Sequence, residues 1–592
     1  MHVGVWHPVQ QVDQVPIGEH RIARSPQEED GHLAQVAPAL VDDLWTWVAD
    51  LRRGPSALAE AGPAAVSEPE PLCSALERRA ATTPDLVAVA EMVDGRWREV
   101  TWGTLAGRVD ALGSGLRARG VRRGDRVAVL ITPGADLIAV IYACWRIGAS
   151  VVVTDAGLGV RGIHRALRGA GVRHIIGIPK AMALVRVLGL PGRRIATTEL
   201  AGIARIGAPG HVPAPPAPGD EAVVVFTSGS TGPAKGVVYR HRQVGRTRDL
   251  LRAHYAITDA DSLVAAFAPW AVLGPALGIA SVLPDMDVTS PRTLKAAALA
   301  DAVATVHGTL LWASPAAFGS VLSSAGDLTD TQRAAFGSLR LVLGAGAPVS
   351  AALLHGMARL CPSAQVRTPY GMTEALPVTD VTIDEIVAAG PGDGVLVGRP
   401  LPGVEVRISA VDDTGAASGG LSDDSDVLGE IVVRAAHTKD HYDRLWATER
   451  ASTREPGWHR TGDVGHLDVT GRLWIGGRLA HVVTTSAGPI APVGVEQRVE
   501  GLAGVRSAAC VGVGPAGTQQ VVVIVVTDRH VEGPADLELL DRVRACARVP
   551  VAAVIERREL PVDIRHNSKV DRSALAVWAD ELLAGRHGSE SR

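Results

Sequence analysis

The chain has 592 residues, 46% of them apolar and 21% charged, and carries a formal net charge of −4. That length exceeds a single ordinary core and implies about two to four domains of a soluble globular protein. The charge balance leaves no overall basic field to hold nucleic acid or an anionic membrane. Cys73, Cys144, Cys361, Cys510 and Cys546 are scattered, without a Cys-x-x-Cys pair or a neighbouring His at ligand spacing. This predicts a reducing compartment and argues against structural zinc. Met1 to Gln11 has neither a basic n-region nor an apolar h-region, so the expected location is the cytoplasm.

Residues 1–70 are rich in Pro, Gln, Ala and Glu, with one amphipathic helix expected from Val36 to Leu51. Just before it, Asp30-Gly31-His32-Leu33 is similar to the end of an α/β-hydrolase, but no nucleophile elbow stands upstream. From Leu76, helical patterns alternate with aliphatic strands at Arg126–Leu130, Ser150–Val153 and His174–Gly177, the pattern of α/β layers with largely parallel sheets. Ala222–Val225 then reads as a buried strand opening into Phe226-Thr227-Ser228-Gly229-Ser230-Thr231-Gly232-Pro233-Ala234-Lys235-Gly236. Small hydroxyls, glycines and one ammonium in that order make a polyphosphate cradle. It is not a Walker A loop, because Gly236 follows Lys235 where that motif needs Ser or Thr.

Leu263 to Pro284 carries no charge, yet Pro269, Gly274, Pro275 and Gly278 interrupt it and Asp261, Asp285 and Asp287 flank it. A buried wall is therefore expected, not a membrane span. Phe267, Trp270, Val272 and Leu273 suit either a pocket for alkyl chains or ordinary core. Further on, Leu341-Val342-Leu343-Gly344-Ala345-Gly346 is a strand running into small residues against which an adenine could lie. Tyr370-Gly371-Met372-Thr373-Glu374 offers a ring, a hydroxyl and a carboxylate. Gly392 to Gly429 changes to short β-rich segments, as in a small antiparallel barrel. Asp463, in His459-Arg460-Thr461-Gly462-Asp463, could accept both ribose hydroxyls, and after Gly477 a shorter α+β module begins, with a buried strand at Gln520–Val526. Lysine is rare: Lys180, Lys235, Lys295, Lys439 and Lys569 are the full set, so Lys235 and Lys569, each in a loop of small residues, stand out.

The set in this order resembles the adenylate-forming superfamily of acyl-CoA synthetases, peptide-synthetase adenylation domains and luciferases, over roughly Cys73 to Leu583. The resemblance implies an α/β enzyme that uses ATP and Mg2+. A large domain (71–477) of layered α/β sheets plus a small barrel would precede a small mobile α+β domain (478–592), with 1–70 as an extension. By the same resemblance Thr227, Ser228, Gly229, Ser230, Thr231, Gly232 and Lys235 hold the β- and γ-phosphates. Gly344, Ala345, Gly346 and Tyr370 frame adenine, Gly371 and Met372 belong to the ATP-binding set, Thr373 contacts phosphate, and Glu374 helps bind the metal. Asp463 and Arg478 hold the ribose, and Lys569 reaches the substrate carboxylate and α-phosphate.

Where such enzymes carry an acidic hinge residue, Gly477-Arg478-Leu479-Ala480-His481 has Ala480. That weakens the expectation of a domain rotation that builds a CoA site. The tracts Tyr370–Val378, Gly274–Gly278 with Pro284–Asp287, Asp155–Gly159 and Val562–Lys569 are similar to those of the olefin β-lactone synthetases. That family implies adenylation of a long-chain 2-alkyl-3-hydroxy acid, whose own hydroxyl then closes a four-membered ring and expels AMP. It also implies a partner, an α/β-hydrolase-fold β-lactone decarboxylase, to which the His32 segment would correspond as a remnant. His307 and His481 are candidates to take the hydroxyl proton, and each also fits a structural histidine. The rival readings are an acyl-CoA synthetase or fatty acyl-AMP ligase, separable by CoA dependence, and a catalytically silent nucleotide-binding scaffold.

Overall fold

A computed structural model describes residues 67–154, 156–207, 214–227, 234–529, 531–561 and 570–586. The expected helix at Val36–Leu51, the His32 segment and Lys569 lie outside these residues, as does the cradle from Ser228 to Pro233.

Aliphatic runs set the sheets. Seven strands order as His441–Tyr442, Lys235–Arg240, Glu221–Thr227, Ser150–Thr154, Arg126–Leu130, His174–Gly177 and Arg193–Ala196, parallel from Glu221–Thr227 onward. A second ladder has fourteen strands. Its parallel part comprises Val87–Val93, Ala280–Leu283, Ser262–Ala265, Leu310–Ala313, Leu341–Gly344 and Gln365–Met372. The helix Ala135–Arg146 (ADLIAVIYACWR) is apolar almost all round and buried accordingly, sharing one core cluster with strands of both ladders. Trp102–Ala118 presents Leu105, Val109, Leu112 and Leu116 at helical spacing to the same core. Its Gly115 admits the Ile203 carbonyl, which would lie 2.1 Å from a Cβ there.

The segments expected as a small barrel are antiparallel strands that continue the fourteen-stranded ladder. Ala375–Thr382 pairs with Val395–Pro400, which pairs with Leu473–Arg478 and so leads on to His459–Leu467 and Gly429–Ala435. A separate cluster of Val404, Val406, Ile408, Ile431, Val433 and Leu473 fills this part. After Arg478 comes a four-stranded sheet, Val505–Val513, Gln520–Thr527, Val551–Glu556 and Gly533–Pro534. Its most central strand is buried along nearly its whole length, as its sequence QVVVIVVT requires. The helices Pro492–Glu500 and Leu537–Ala547 cover one face, and Arg572–Leu583 packs on the other.

The uncharged tract Leu263–Pro284 is a buried wall: Leu263, Ala265, Trp270, Ala271, Ala276, Leu277, Ile279 and Leu283 belong to the main core. No helix among the described residues is long and apolar enough to cross a membrane.

Candidate active site

Parallel strands deliver side chains to their carboxyl ends, where open α/β sheets leave room for ligands. Leu341–Gly344 ends in Gly344, where a Cβ would lie 2.6 Å from the Phe318 ring, so this glycine is required by packing. Gly346, at φ +97°, has nothing within 4 Å of a Cβ position and faces open space. The buried Ala345 between them donates its N–H to the Ala313 carbonyl at 3.1 Å.

The next strand, Gln365–Met372, turns back into Ala375–Thr382 through a connection of two residues, Thr373 and Glu374, with Met372 paired to Ala375. Gly371 makes the turn possible, because a Cβ there would meet the Ala375 carbonyl at 2.6 Å. Both tip carbonyls are capped. Tyr239 donates its hydroxyl to the Thr373 carbonyl at 2.6 Å, and the Lys439 N–H reaches that of Glu374 at 2.7 Å. The Glu374 carboxylate accepts the Tyr442 hydroxyl at 2.6 Å. Burial, then the Glu374 charge, hold both phenols well above the ordinary tyrosine range, so each donates its proton.

Tyr442 sits on the two-residue edge strand beside Lys235–Arg240, with His441 opposite Val238 and Tyr442 opposite Val237. Two ammonium groups lie against its ring, Lys439 Nζ at 4.3 Å from the centroid and Lys235 Nζ at 5.5 Å. Lys439 is buried and paired to Glu449 at 2.6 Å; burial lowers its pKa, against the pull of that carboxylate. His459, behind Tyr442, is held down to about 3 by burial, then by Lys439 and Lys235. Arg126 fastens this edge to the sheet by ion pairs to Glu221 at 2.7 Å and Asp443 at 2.9 Å.

On the antiparallel side, Asp463 and Arg478 are direct partners across His459–Leu467 and Leu473–Arg478. Arg478 Nε is 3.0 Å from Asp463 Oδ1, and the Tyr370 hydroxyl donates to Oδ2 at 2.8 Å. Enclosure of that hydroxyl, then the Asp463 carboxylate, raise the Tyr370 pKa well above its usual value. Lys235 opens its strand in register with Thr227, so the described residues on either side of the expected phosphate loop are paired across the ladder.

Thus Tyr370, Asp463 and Arg478 form one group, Glu374 and Lys235 meet at Tyr442, and Thr373 adjoins Glu374 at the hairpin tip with its carbonyl on Tyr239. His307 does not join them. It is the exposed left-handed cap (φ +47°) of the helix Ala296–Val306, and its carbonyl accepts from Ser262 at the amino end of Ser262–Ala265, the opposite edge of the sheet. His481 is half-buried in the short turn Leu479–His481, where burial, then Arg572 and Arg478, lower its pKa; Ala480 beside it is exposed. Trp270 stacks on Trp312 at 3.6 Å and both are buried, while the Val272 carbonyl accepts the Tyr142 hydroxyl at 2.9 Å. Phe267, Val272 and Leu273 are half-buried against the same core. Sequence reasoning passed over Tyr442, Tyr239, Lys439 and Glu449. The rarity of lysine was the one available signal, and it pointed equally at Lys439.

Small residues at the end of Leu341–Gly344 and the group of Asp463, Arg478 and Tyr370 are the described features of the candidate site. The AMP-binding enzyme family matches residues 76–442, and the chain belongs to that family of AMP-forming ligases. Within it the chain is similar to the olefin beta-lactone synthetase of Xanthomonas campestris pv. campestris, 35% identical over 548 residues, covering 86% of this chain and 97% of that one. It is 37% identical over 513 residues to the olefin beta-lactone synthetase of Stenotrophomonas maltophilia, covering 81% of this chain and 91% of the relative. The fold matches that of o-succinylbenzoate coenzyme A synthetase (MenE) from Bacillus subtilis in complex with ATP and magnesium ion. The TM-score is 0.70 at 21% identity, covering 86% of this chain and 99% of that one.

Proposed function

We propose that the protein is an ATP-dependent β-lactone synthetase acting on a long-chain 2-alkyl-3-hydroxyalkanoic acid. The observation that carries the reading is similarity to two olefin beta-lactone synthetases across nearly their whole length. In the first step a carboxylate oxygen of the acid bonds to the α-phosphorus of ATP and pyrophosphate leaves. In the second, the 3-hydroxyl oxygen bonds to the acyl carbon, the bond to AMP breaks, and the hydroxyl proton is lost. ATP thereby drives closure of a strained ring.

The residues fall into roles by chemistry. Asp463 accepts the ribose hydroxyls, with its second oxygen fixed by Tyr370 and its charge balanced by Arg478. Gly344 to Gly346, Tyr370, Gly371 and Met372 border the base. The loop from Thr227 to Gly232 with Lys235 takes the phosphates, Thr373 adds a hydroxyl, and Lys569 is carried by the 478–592 module, which we take as a separate domain. Preorganised donors of this kind stabilise charge spread over the transition state. Glu374 fits a role in holding Mg2+: one carboxylate oxygen is fixed by Tyr442, and no described cluster of three or more His, Cys, Asp or Glu provides an all-protein cation site. A cation that keeps one carboxylate and takes substrate phosphates has the preference of magnesium, and bound there it would neutralise phosphate charge.

Incubation of the purified protein with ATP, Mg2+ and a long-chain 2-alkyl-3-hydroxy acid, with and without CoA, tests the reading by mass spectrometry and proton NMR. The expected product is lighter than the acid by one water, shows four-membered-ring protons, forms without CoA and matches AMP release. A thioester formed only with CoA would replace this reading with an acyl-CoA synthetase.

A further inference from the structure

From Ala156 to Thr198 the sequence contains eight arginines and lysines and no aspartate or glutamate, within a chain whose net charge is −4. The average conceals a strongly basic block. Most of it is displayed on two helices, Gly159–Gly169 and Pro179–Val187, that lie side by side on one face of the seven-stranded sheet. They bury Ala166, Leu167, Met182 and Val185 in a common cluster. Burial of those positions turns Arg161, Arg165 and Arg168 outward together, at spacings of four and three, with Lys180 and Arg186 exposed on the neighbouring helix.

Two features separate this face from an ordinary solvated surface. First, no described carboxylate pairs with Arg161, Arg165, Arg168, Lys180 or Arg186, whereas arginines elsewhere, such as Arg126, Arg146 and Arg460, are committed to carboxylates. Second, the charges surround protruding aliphatic side chains: Val187 is 84% exposed, Val160 48% and Leu184 36%. Val160, Arg161, His164, Arg165, Arg168 and Leu188 line an open groove of about 580 Å³ that shares no residue with the nucleotide site.

We propose that this face docks the protein on an anionic phospholipid surface, with the arginines and lysines at the headgroup phosphates and Val160, Leu184 and Val187 entering the interface. Charge complementarity selects the partner, and the protruding aliphatics favour a bilayer over a nucleic acid, whose backbone offers them nothing to enter. The association is peripheral and reversible, screened by salt, and independent of which acid the enzyme activates.

The test is flotation of the full chain, without substrate, with vesicles of phosphatidylcholine alone or of phosphatidylcholine mixed with phosphatidylglycerol. Binding is expected only to the anionic vesicles and is expected to fall as salt is raised. Arg161→Glu/Arg165→Glu/Arg168→Glu should weaken it by roughly tenfold or more. Val187→Ser should weaken it by about threefold without changing its salt dependence. Thermal melts and ATP–pyrophosphate exchange of each variant should match the parent protein. No partition of the parent protein into anionic vesicles would overturn the proposal, as would binding that survives the triple reversal. Capture by soluble polyglutamate with none by vesicles would overturn it in favour of an acidic protein partner.

Discussion

The Tyr442 hydroxyl donates a 2.6 Å hydrogen bond to Oε1 of Glu374, joining positions 68 residues apart and two different sheets. The phenol fixes a carboxylate at the tip of a hairpin, and its ring lies close to Lys235 and Lys439. Hydrogen bonds to a charged acceptor contribute about 1.5–3 kcal/mol. Tyr442→Phe keeps the ring and removes the bond. ATP–pyrophosphate exchange should drop by about tenfold, with a higher Mg2+ requirement and a stability loss of no more than about 3 kcal/mol. Unchanged exchange at low Mg2+ would show that Glu374 needs no such positioning.

Lys439 and Glu449 form a buried pair at 2.6 Å, so truncating one partner strands the other. Lys439→Met should lower the urea-unfolding free energy by roughly 3–5 kcal/mol, and adding Glu449→Gln should restore part of it. A single variant as stable as the parent would mean that Glu449 finds water or another cation.

The proposed ribose contact separates Asp463 from Arg478. Asp463→Ala should raise the KM for ATP by about tenfold or more, because a two-oxygen acceptor is lost. Arg478→Ala should have a smaller effect, since its side chain is 40% exposed and solvent screens its pair with Asp463. Equal losses in the two variants would argue that Arg478 touches the nucleotide directly.

Burial pulls His241 down to about 4, and neither ring nitrogen has a hydrogen-bond partner among the described residues. The unfolded chain takes up this proton near the ordinary pKa of about 6.5 and the folded chain near 4. The contribution of the neutral ring is therefore fully present above about 6.5 and is lost as pH falls towards 4. His241→Phe should leave stability at pH 7 within about 1 kcal/mol and remove about 1.4 kcal/mol per pH unit from the slope in that window. Parallel urea midpoints for variant and parent across the window would show that His241 does not control this acid sensitivity.

Much of this architecture can be read in the chain because local pattern and burial agree. Arg126–Leu130 and His174–Gly177 are strands as their aliphatic runs require, and Gly344 and Gly371 fall where close backbone approach demands them. Asp463 and Arg478, named together from motif chemistry, are neighbours in space, and Tyr370, named for the base, joins them through its hydroxyl. Tyr442 was opaque because a two-residue edge strand has no periodicity and its partner is remote. The Thr373–Glu374 turn carries none of the Gly, Asn or Asp residues that announce a two-residue hairpin. His307, a candidate that fitted a structural histidine as well, lies at the amino edge for a topological reason: it precedes its parallel strand. The basic face on Gly159–Gly169 was hidden by averaging charge over the whole chain.

The two-residue hairpin also bounds how this enzyme can be varied. One extra residue between Met372 and Ala375 would shift the register and exchange the two faces of Ala375–Thr382, taking Val378 and Val381, which are buried in different clusters, out of their places. Length is therefore closed to change here while side-chain identity is open. A redesign of the proposed metal and phosphate contacts should proceed by substitution at positions 373 and 374, and insertion libraries belong elsewhere in the chain.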